Sequence, residues 1–322
     1  MFTCTDYLYY KSIRFSLNPD IMEEVPFTQK SKLSKYLKLL LKIAITILCF
    51  WYISRKIDFH AAKDAFLKSG WSWLFLATIL LMLSKLFSAF RLNIYLRNIG
   101  IDLPEWENIK LYWLGMFYNL FLPGSISGDA YKIVLLKKTY NVSYKKISAA
   151  VLLDRFSGLV ALGLIMSVYG VIVLDKILYD IILISGSIST ILILYLIIRI
   201  YFKDFIPGFW PTFFWGLVVQ LTQVLCIYSI LFALHQPILP EWIFIFLTAA
   251  VVAVFPVSLG GGLGTREVVF VLGAKYFHLD IQIAPVVSLL FFLSTVIVSA
   301  WGLFYVFKNP FNEKKRPSAF GR

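Results

Sequence analysis

Long apolar runs broken by short polar segments dominate this chain, and the runs fall into two length classes. Those at about 36–54, 71–91, 147–174, 177–200, 211–234 and 283–307 are mostly apolar throughout. Each is close to, or above, the roughly 20 residues a helix needs to cross a bilayer. Two others, at about 109–122 and 242–255, are too short. The first stops at Pro123-Gly124 and resumes at about 129–138. The second stops at Pro256, passes Gly260, Gly261, Gly262 and Gly264, and resumes at about 265–277. Proline and glycine clusters at membrane depth free backbone groups, which is tolerable only inside protein or beside a water-filled cavity. The pattern therefore predicts an all-α polytopic integral membrane protein. It has about six full spans plus two re-entrant helical hairpins, at about 109–138 and 242–277.

The breaks repeat one another. Pro123-Gly124-Ser125-Ile126-Ser127-Gly128 and Pro256-Val257-Ser258-Leu259-Gly260-Gly261 share the pattern Pro-x-Ser-(Ile/Leu)-(Ser/Gly)-Gly. Three full runs lie between the copies, and an odd number turns the second hairpin to enter from the opposite face. Paired, broken hydrophobic segments in inverted orientation point to a binding site near the bilayer midplane.

Composition narrows the class. Of 322 residues 59% are hydrophobic, 17% aromatic and 15% charged, against roughly 25% charged in a soluble domain. The net charge of +13 is read as topology, because basic residues collect in cytoplasmic loops. With the N-terminus inside, Lys30, Lys32, Lys35, Arg91, Arg97, Lys137, Lys138, Lys145, Lys146, Arg199 and Lys203 fall on the cytoplasmic side. So does the tail with Lys308, Lys314, Lys315 and Arg316. Arg55, Lys56, Lys63 and Lys68 fall outside and are the exception. The expected place is the cell inner (cytoplasmic) membrane, with both termini cytoplasmic. Residues 1–35 read as a polar N-terminal segment, 36–308 as one transmembrane domain and 309–322 as a basic tail. No cleavable signal is read at the N-terminus. Met22-Glu-Glu-Val-Pro reads as a second start, so residues 1–21 are expected to be an extension.

Several chemistries drop out. Nucleic-acid binding needs a soluble basic module, and none is visible. Cys4, Cys49 and Cys226 lack paired spacing, and His60, His235 and His278 stand alone near segment ends, so neither a metal site nor a cofactor is expected. The glycine run lacks the strand–turn–helix setting of a nucleotide fold. Ser125, Ser127 and Ser258 sit in turns with no base to activate them. Lys85, near Arg91, reads as a snorkelling lysine.

The remaining polar residues cluster around the two breaks. Thr265 stands at an N-cap position, with Arg266 and Glu267 in the first turn that follows. A helix N-terminus attracts phosphate, and arginine offers a two-pronged fork for it. Simple pairing of Arg266 with Glu267 and the helix dipole is the alternative. A charged pair at membrane depth is costly and by default functional. In the first copy Ser127 or Asp129 caps the helix that follows; alternatively Asp129 holds a cationic headgroup or carries a proton. Asn119, just before the break, suits a cavity better than lipid. Asp154 and Arg155 are adjacent on a helix, so they reach different partners. They either pair inside the protein, with the hairpin charges, or meet water at the cytoplasmic interface.

Three stretches together resemble a known family. They are Phe117-Tyr-Asn-Leu-Phe-Leu-Pro-Gly-Ser-Ile-Ser-Gly-Asp129, Leu153-Asp-Arg-Phe-Ser-Gly158 and Phe255-Pro-Val-Ser-Leu-Gly-Gly-Gly-Leu-Gly-Thr-Arg-Glu267. As an ordered set they resemble the flippase-like membrane family, that of the transmembrane region of lysylphosphatidylglycerol synthases. The resemblance runs from about residue 35 to 308. In bacterial members this region is held to move aminoacylated phosphatidylglycerol across the inner membrane, while a separate cytoplasmic domain attaches the amino acid. Without that domain the resemblance implies stand-alone lipid handling and no enzyme activity. The expected function is flipping or scrambling of a phospholipid, or another lipid with a phosphate-containing headgroup. Its headgroup ligands would be Arg266, Glu267, Thr265, Asp129, Asn119, Asp154, Arg155, Ser125 and Ser258. The alternatives are an intramembrane headgroup transferase and a non-transporting accessory protein for envelope glycolipid assembly. Membrane lipids are the expected partners; a homo-oligomer or an envelope-biosynthesis partner stays open. Ser125 and Ser127 stand where relatives often carry glycine.

Overall fold

The structure, a computed structural model, describes residues 69–121, 126–254, 265–307 and 310–311. Among them are nine α-helices and one 3-10 turn, with no strand. The helices are α1 (Trp71–Asn98), α2 (Glu105–Phe121), α3 (Ser127–Thr139), α4 (Tyr144–Leu174), α5 (Ile177–Tyr201), α6 (Phe209–Ala233), α7 (Pro240–Val252), α8 (Thr265–Tyr276) and α9 (Ile283–Phe307). The 3-10 turn, Lys203–Gly208, leads into α6. Five helices are long and apolar enough to cross a membrane: α1, α4, α5, α6 with its 3-10 lead, and α9. This is a multi-pass membrane protein. The run expected at 36–54 lies outside the described residues.

α1 corrects one expectation. It continues seven residues beyond the expected end at Arg91, to Asn98, and Arg91 is buried inside the bundle rather than standing at a helix end. A carboxylate inside the bundle makes this tolerable: Arg91 Nε donates to Asp154 Oδ1 at 2.7 Å. With the guanidinium paired, Leu92, Tyr95 and Leu96 continue the helix into an apolar core.

Contacts between helix ends fix which way each element runs. At one end Lys146 pairs with Asp204 at 2.7 Å, Arg97 with Glu105 at 2.6 Å, and the Tyr140 and Phe311 rings meet at 6.4 Å. At the other end the Gly70 amide donates to the Ala233 carbonyl at 2.9 Å, and Phe244 and Phe277 meet at 6.1 Å. The α2–α3 pair therefore attaches at the first end and the α7–α8 pair at the second. Three long helices, α4 to α6, connect them. His235 and His278 each take a positive φ just past a helix end, so both act as helix terminators.

Two apolar clusters hold the bundle. One gathers around Trp242, Phe246, Phe270 and Phe291, the other around Tyr95, Leu111, Phe205 and Phe209. Along α1 the first ends at Leu81 and the second begins at Leu92. The residues between them include Ser84, Lys85, Ser88 and Arg91. α5 is different: apolar on all sides, it buries only Leu194 and Ile198, as expected of a helix bathed in lipid.

Candidate functional site

The first hairpin closes by backbone contact. A methyl group at Gly128 would collide with the Gly115 carbonyl, so only glycine lets α3 approach α2 this closely. Two polar ties fix the approach. The Ser127 hydroxyl donates to the Tyr118 carbonyl at 2.8 Å, and the Gly128 amide donates to Asn119 Oδ1 at 2.8 Å. Ser127 is thus a tie between helices and not a cap.

This geometry sets Asp129 in the first turn of α3, buried among cations. Lys132 Nζ lies 3.1 Å from its Oδ1, and Arg155 Nε of α4 donates to its Oδ2. Asn119 Nδ2 reaches the same carboxylate at 3.5 Å. Lys132 Nζ also lies 4.2 Å from the centre of the Tyr112 ring, a favourable cation–π contact. Both carboxylate oxygens of Asp129 are therefore engaged by the protein itself. The neighbouring residues of α4 reach different partners, Asp154 going to Arg91 and Arg155 to Asp129.

The second hairpin is built differently. Thr265 is the first residue of α8, one place past the N-cap position expected for it. Arg266 lays its guanidinium over the Phe291 ring at 5.2 Å, and its buried Nε has no hydrogen-bond partner among the described residues. Glu267 accepts from the Ser288 hydroxyl of α9 at 3.2 Å. Pro123, Gly124, Ser125, Pro256, Ser258, Gly260, Gly261, Gly262 and Gly264 lie outside the described residues.

Both hairpins wall one cavity of about 340 Å³, large enough for a lipid headgroup. α2 supplies Tyr112, Met116, Asn119 and Leu120; α7 and the turn after it supply Ala250, Ala253 and Val254; α8 supplies Arg266. Lys85 of α1, Arg155 of α4, and Thr295 and Ser299 of α9 complete the wall. Of the residues expected from sequence, the cavity brings together Arg266, Arg155 and Asn119. Asp129 and Asp154 sit behind it, each held by an arginine, and Thr265 and Glu267 are not among the lining residues.

Sequence reasoning missed Lys85, Tyr112, Thr295 and Ser299. Lys85 was discounted because α1 was expected to end at Arg91; with the helix running on to Asn98 it stands mid-helix, beyond the reach of a snorkelling stem. The spacing of Lys85 and Arg91, six residues and so about 120° apart around α1, gives no local signal of a shared site. Nothing in the local pattern marks Thr295 or Ser299.

Comparison with known proteins adds three findings. Residues 39–207 match the family described as the lysylphosphatidylglycerol synthase TM region. The matched stretch contains the first break, Asp154 and Arg155, and ends before the second break. A UPF0104 membrane protein of Pyrococcus horikoshii is 27% identical over 169 residues, 50% of this chain and 49% of that relative. This chain thus aligns with about half the length of the curated relative it matches. No solved structure matches.

Proposed function

The chain belongs to the family of the lysylphosphatidylglycerol synthase transmembrane region, and on that footing we propose that it moves a lipid with a phosphate-containing headgroup across the membrane. The observation that carries this reading is the cavity where both hairpins meet, with Lys85, Arg155 and Arg266 converging on it. Phosphate suits such a site: arginine grips it in a fork, and lysine adds a point charge. The acyl tails would stay in the bilayer while the headgroup crosses through the bundle.

The two hairpins enter from opposite faces in this reading, re-entrant in the membrane and related by an inverted repeat. Their attachment at opposite ends of the bundle supports it, as does the repeated motif. The end that carries Arg97, Lys137, Lys138, Lys145, Lys146, Arg199 and Lys203 faces the cytoplasm; Lys176 and Lys275 lie toward the other. The membrane is the cytoplasmic one, and a sixth span at 36–54 completes the set.

Reconstitution with fluorescent phospholipids tests the proposal. Liposomes holding the protein should exchange lipid between leaflets faster than empty ones, and Arg266→Ala should slow that exchange. Equal rates in all three preparations would end it. Turnover of a labelled lipid donor by the purified protein would favour the intramembrane transferase instead.

A further inference from the structure

Charges around the cavity do not balance. Three of its lining residues are cations, Lys85, Arg155 and Arg266, and no carboxylate is among the described lining. Behind the wall, Arg91 pairs with Asp154, and Lys132 and Arg155 share Asp129. Glu267, next to Arg266 in sequence, hydrogen-bonds Ser288 on α9. The cluster holds five basic side chains, Lys85, Arg91, Lys132, Arg155 and Arg266. Among the described residues it holds three acidic ones, Asp129, Asp154 and Glu267, so two positive charges are left over there. Lys85 has no ion pair among the described residues, and Arg266 Nε is buried without a partner.

Uncompensated cations away from water are costly, and a site built this way is completed by an anion. A phosphodiester brings one negative charge and cancels half of the excess. A phosphate monoester brings about 1.5 to 2 near neutral pH, and a diphosphate at least as much. A zwitterionic headgroup carries its own cation into a cavity already positive; an aminoacylated one carries at least one, and a lysylated one two. Resting on the headgroup reading above, we propose that the cavity selects a phosphomonoester or diphosphate group and rejects zwitterionic and aminoacylated headgroups.

The full chain in neutral detergent, titrated with lipid and followed by native mass spectrometry, tests this. The probes are dioleoylphosphatidic acid, phosphatidylglycerol, phosphatidylcholine, lysylphosphatidylglycerol and inorganic diphosphate. Phosphatidic acid should bind at least tenfold more tightly than phosphatidylcholine or lysylphosphatidylglycerol, with phosphatidylglycerol between. Lys85→Gln and Arg266→Gln should each shrink that ratio to about twofold or less, and Lys85→Arg should keep it. The ranking by unaltered protein decides the matter even if a variant fails to fold. Equal binding of all four lipids, or tighter binding of lysylphosphatidylglycerol, overturns the proposal. Inorganic diphosphate binding as tightly as phosphatidic acid upholds the anion chemistry and overturns the lipid reading. Liposome assays separate the two claims further. Exchange that is fast but identical for phosphatidylcholine and phosphatidic acid removes the selectivity and leaves translocation standing. Selective binding without exchange does the reverse.

Discussion

The two hairpins carry the same broken motif and use their charges in opposite ways. In α2–α3 the polar groups are consumed by the fold: Asp129 holds Lys132 and Arg155, and Asn119 holds the Gly128 amide. In α7–α8 the prominent cation is turned outward, with Arg266 on the cavity wall and its Nε unpartnered. A repeated motif therefore does not imply a repeated role. One copy is a fastening between helices, and the other leaves a cation on the cavity wall.

Asp129→Ala should break this comparison most sharply. It leaves Lys132 buried and Arg155 without their shared carboxylate, and removing one partner of a buried ion pair costs about 3–5 kcal/mol. Heating detergent-solubilised protein and measuring the monodisperse fraction by size-exclusion chromatography should show a large loss. A variant as heat-resistant as the native protein would mean that the fastening role is wrong. Next come the glycines. Gly128→Ala drives a methyl group into the Gly115 carbonyl and should cost about 1–3 kcal/mol by overpacking. Gly273→Ala in the second hairpin meets the Ile245 side chain and not backbone, so a smaller loss of about 1–2 kcal/mol is expected. If the same melting assay shows equal losses, the hairpins do not differ in closeness. Ser288→Ala removes one donor from Glu267 and should cost about 1 kcal/mol. The smallest effect belongs to Arg266→Gln. Its melting temperature should stay within a few degrees of the native value, because no partner of its Nε is lost, while its lipid exchange falls. A collapse in stability there would make Arg266 a structural residue like Asp129.

Much of this was legible from run lengths alone. Five of the long helices appear where apolar length puts them, and the short helices α2, α3, α7 and α8 fall on either side of the two Pro-Gly stretches, because those signals are local. The separate destinations of Asp154 and Arg155 also followed from helical geometry. What was hidden depended on partners far along the chain. Arg91 looks like the end of a span until Asp154, 63 residues away, is seen to hold it. Lys85 then becomes a mid-helix cation only because α1 runs on. The same distance effect applies to Asp129: its sequence context suggests a cap or a ligand, and its partner Arg155 comes from α4, 26 residues away.

The length of α4 has a consequence of its own. Its foot is hydrated, with Lys146 paired to Asp204 and both well exposed. Asp154 and Arg155 stand eight and nine residues beyond Lys146, or roughly 12–14 Å at 1.5 Å per residue. That approaches half of a hydrocarbon layer of about 30 Å. On the proposed reading the helix would work as a depth gauge: its exposed end stays with water, and its length carries the charged pair toward the middle of the bilayer. Inserting or deleting a full turn between Lys146 and Asp154 would move that mark by about 5 Å without changing a single charge.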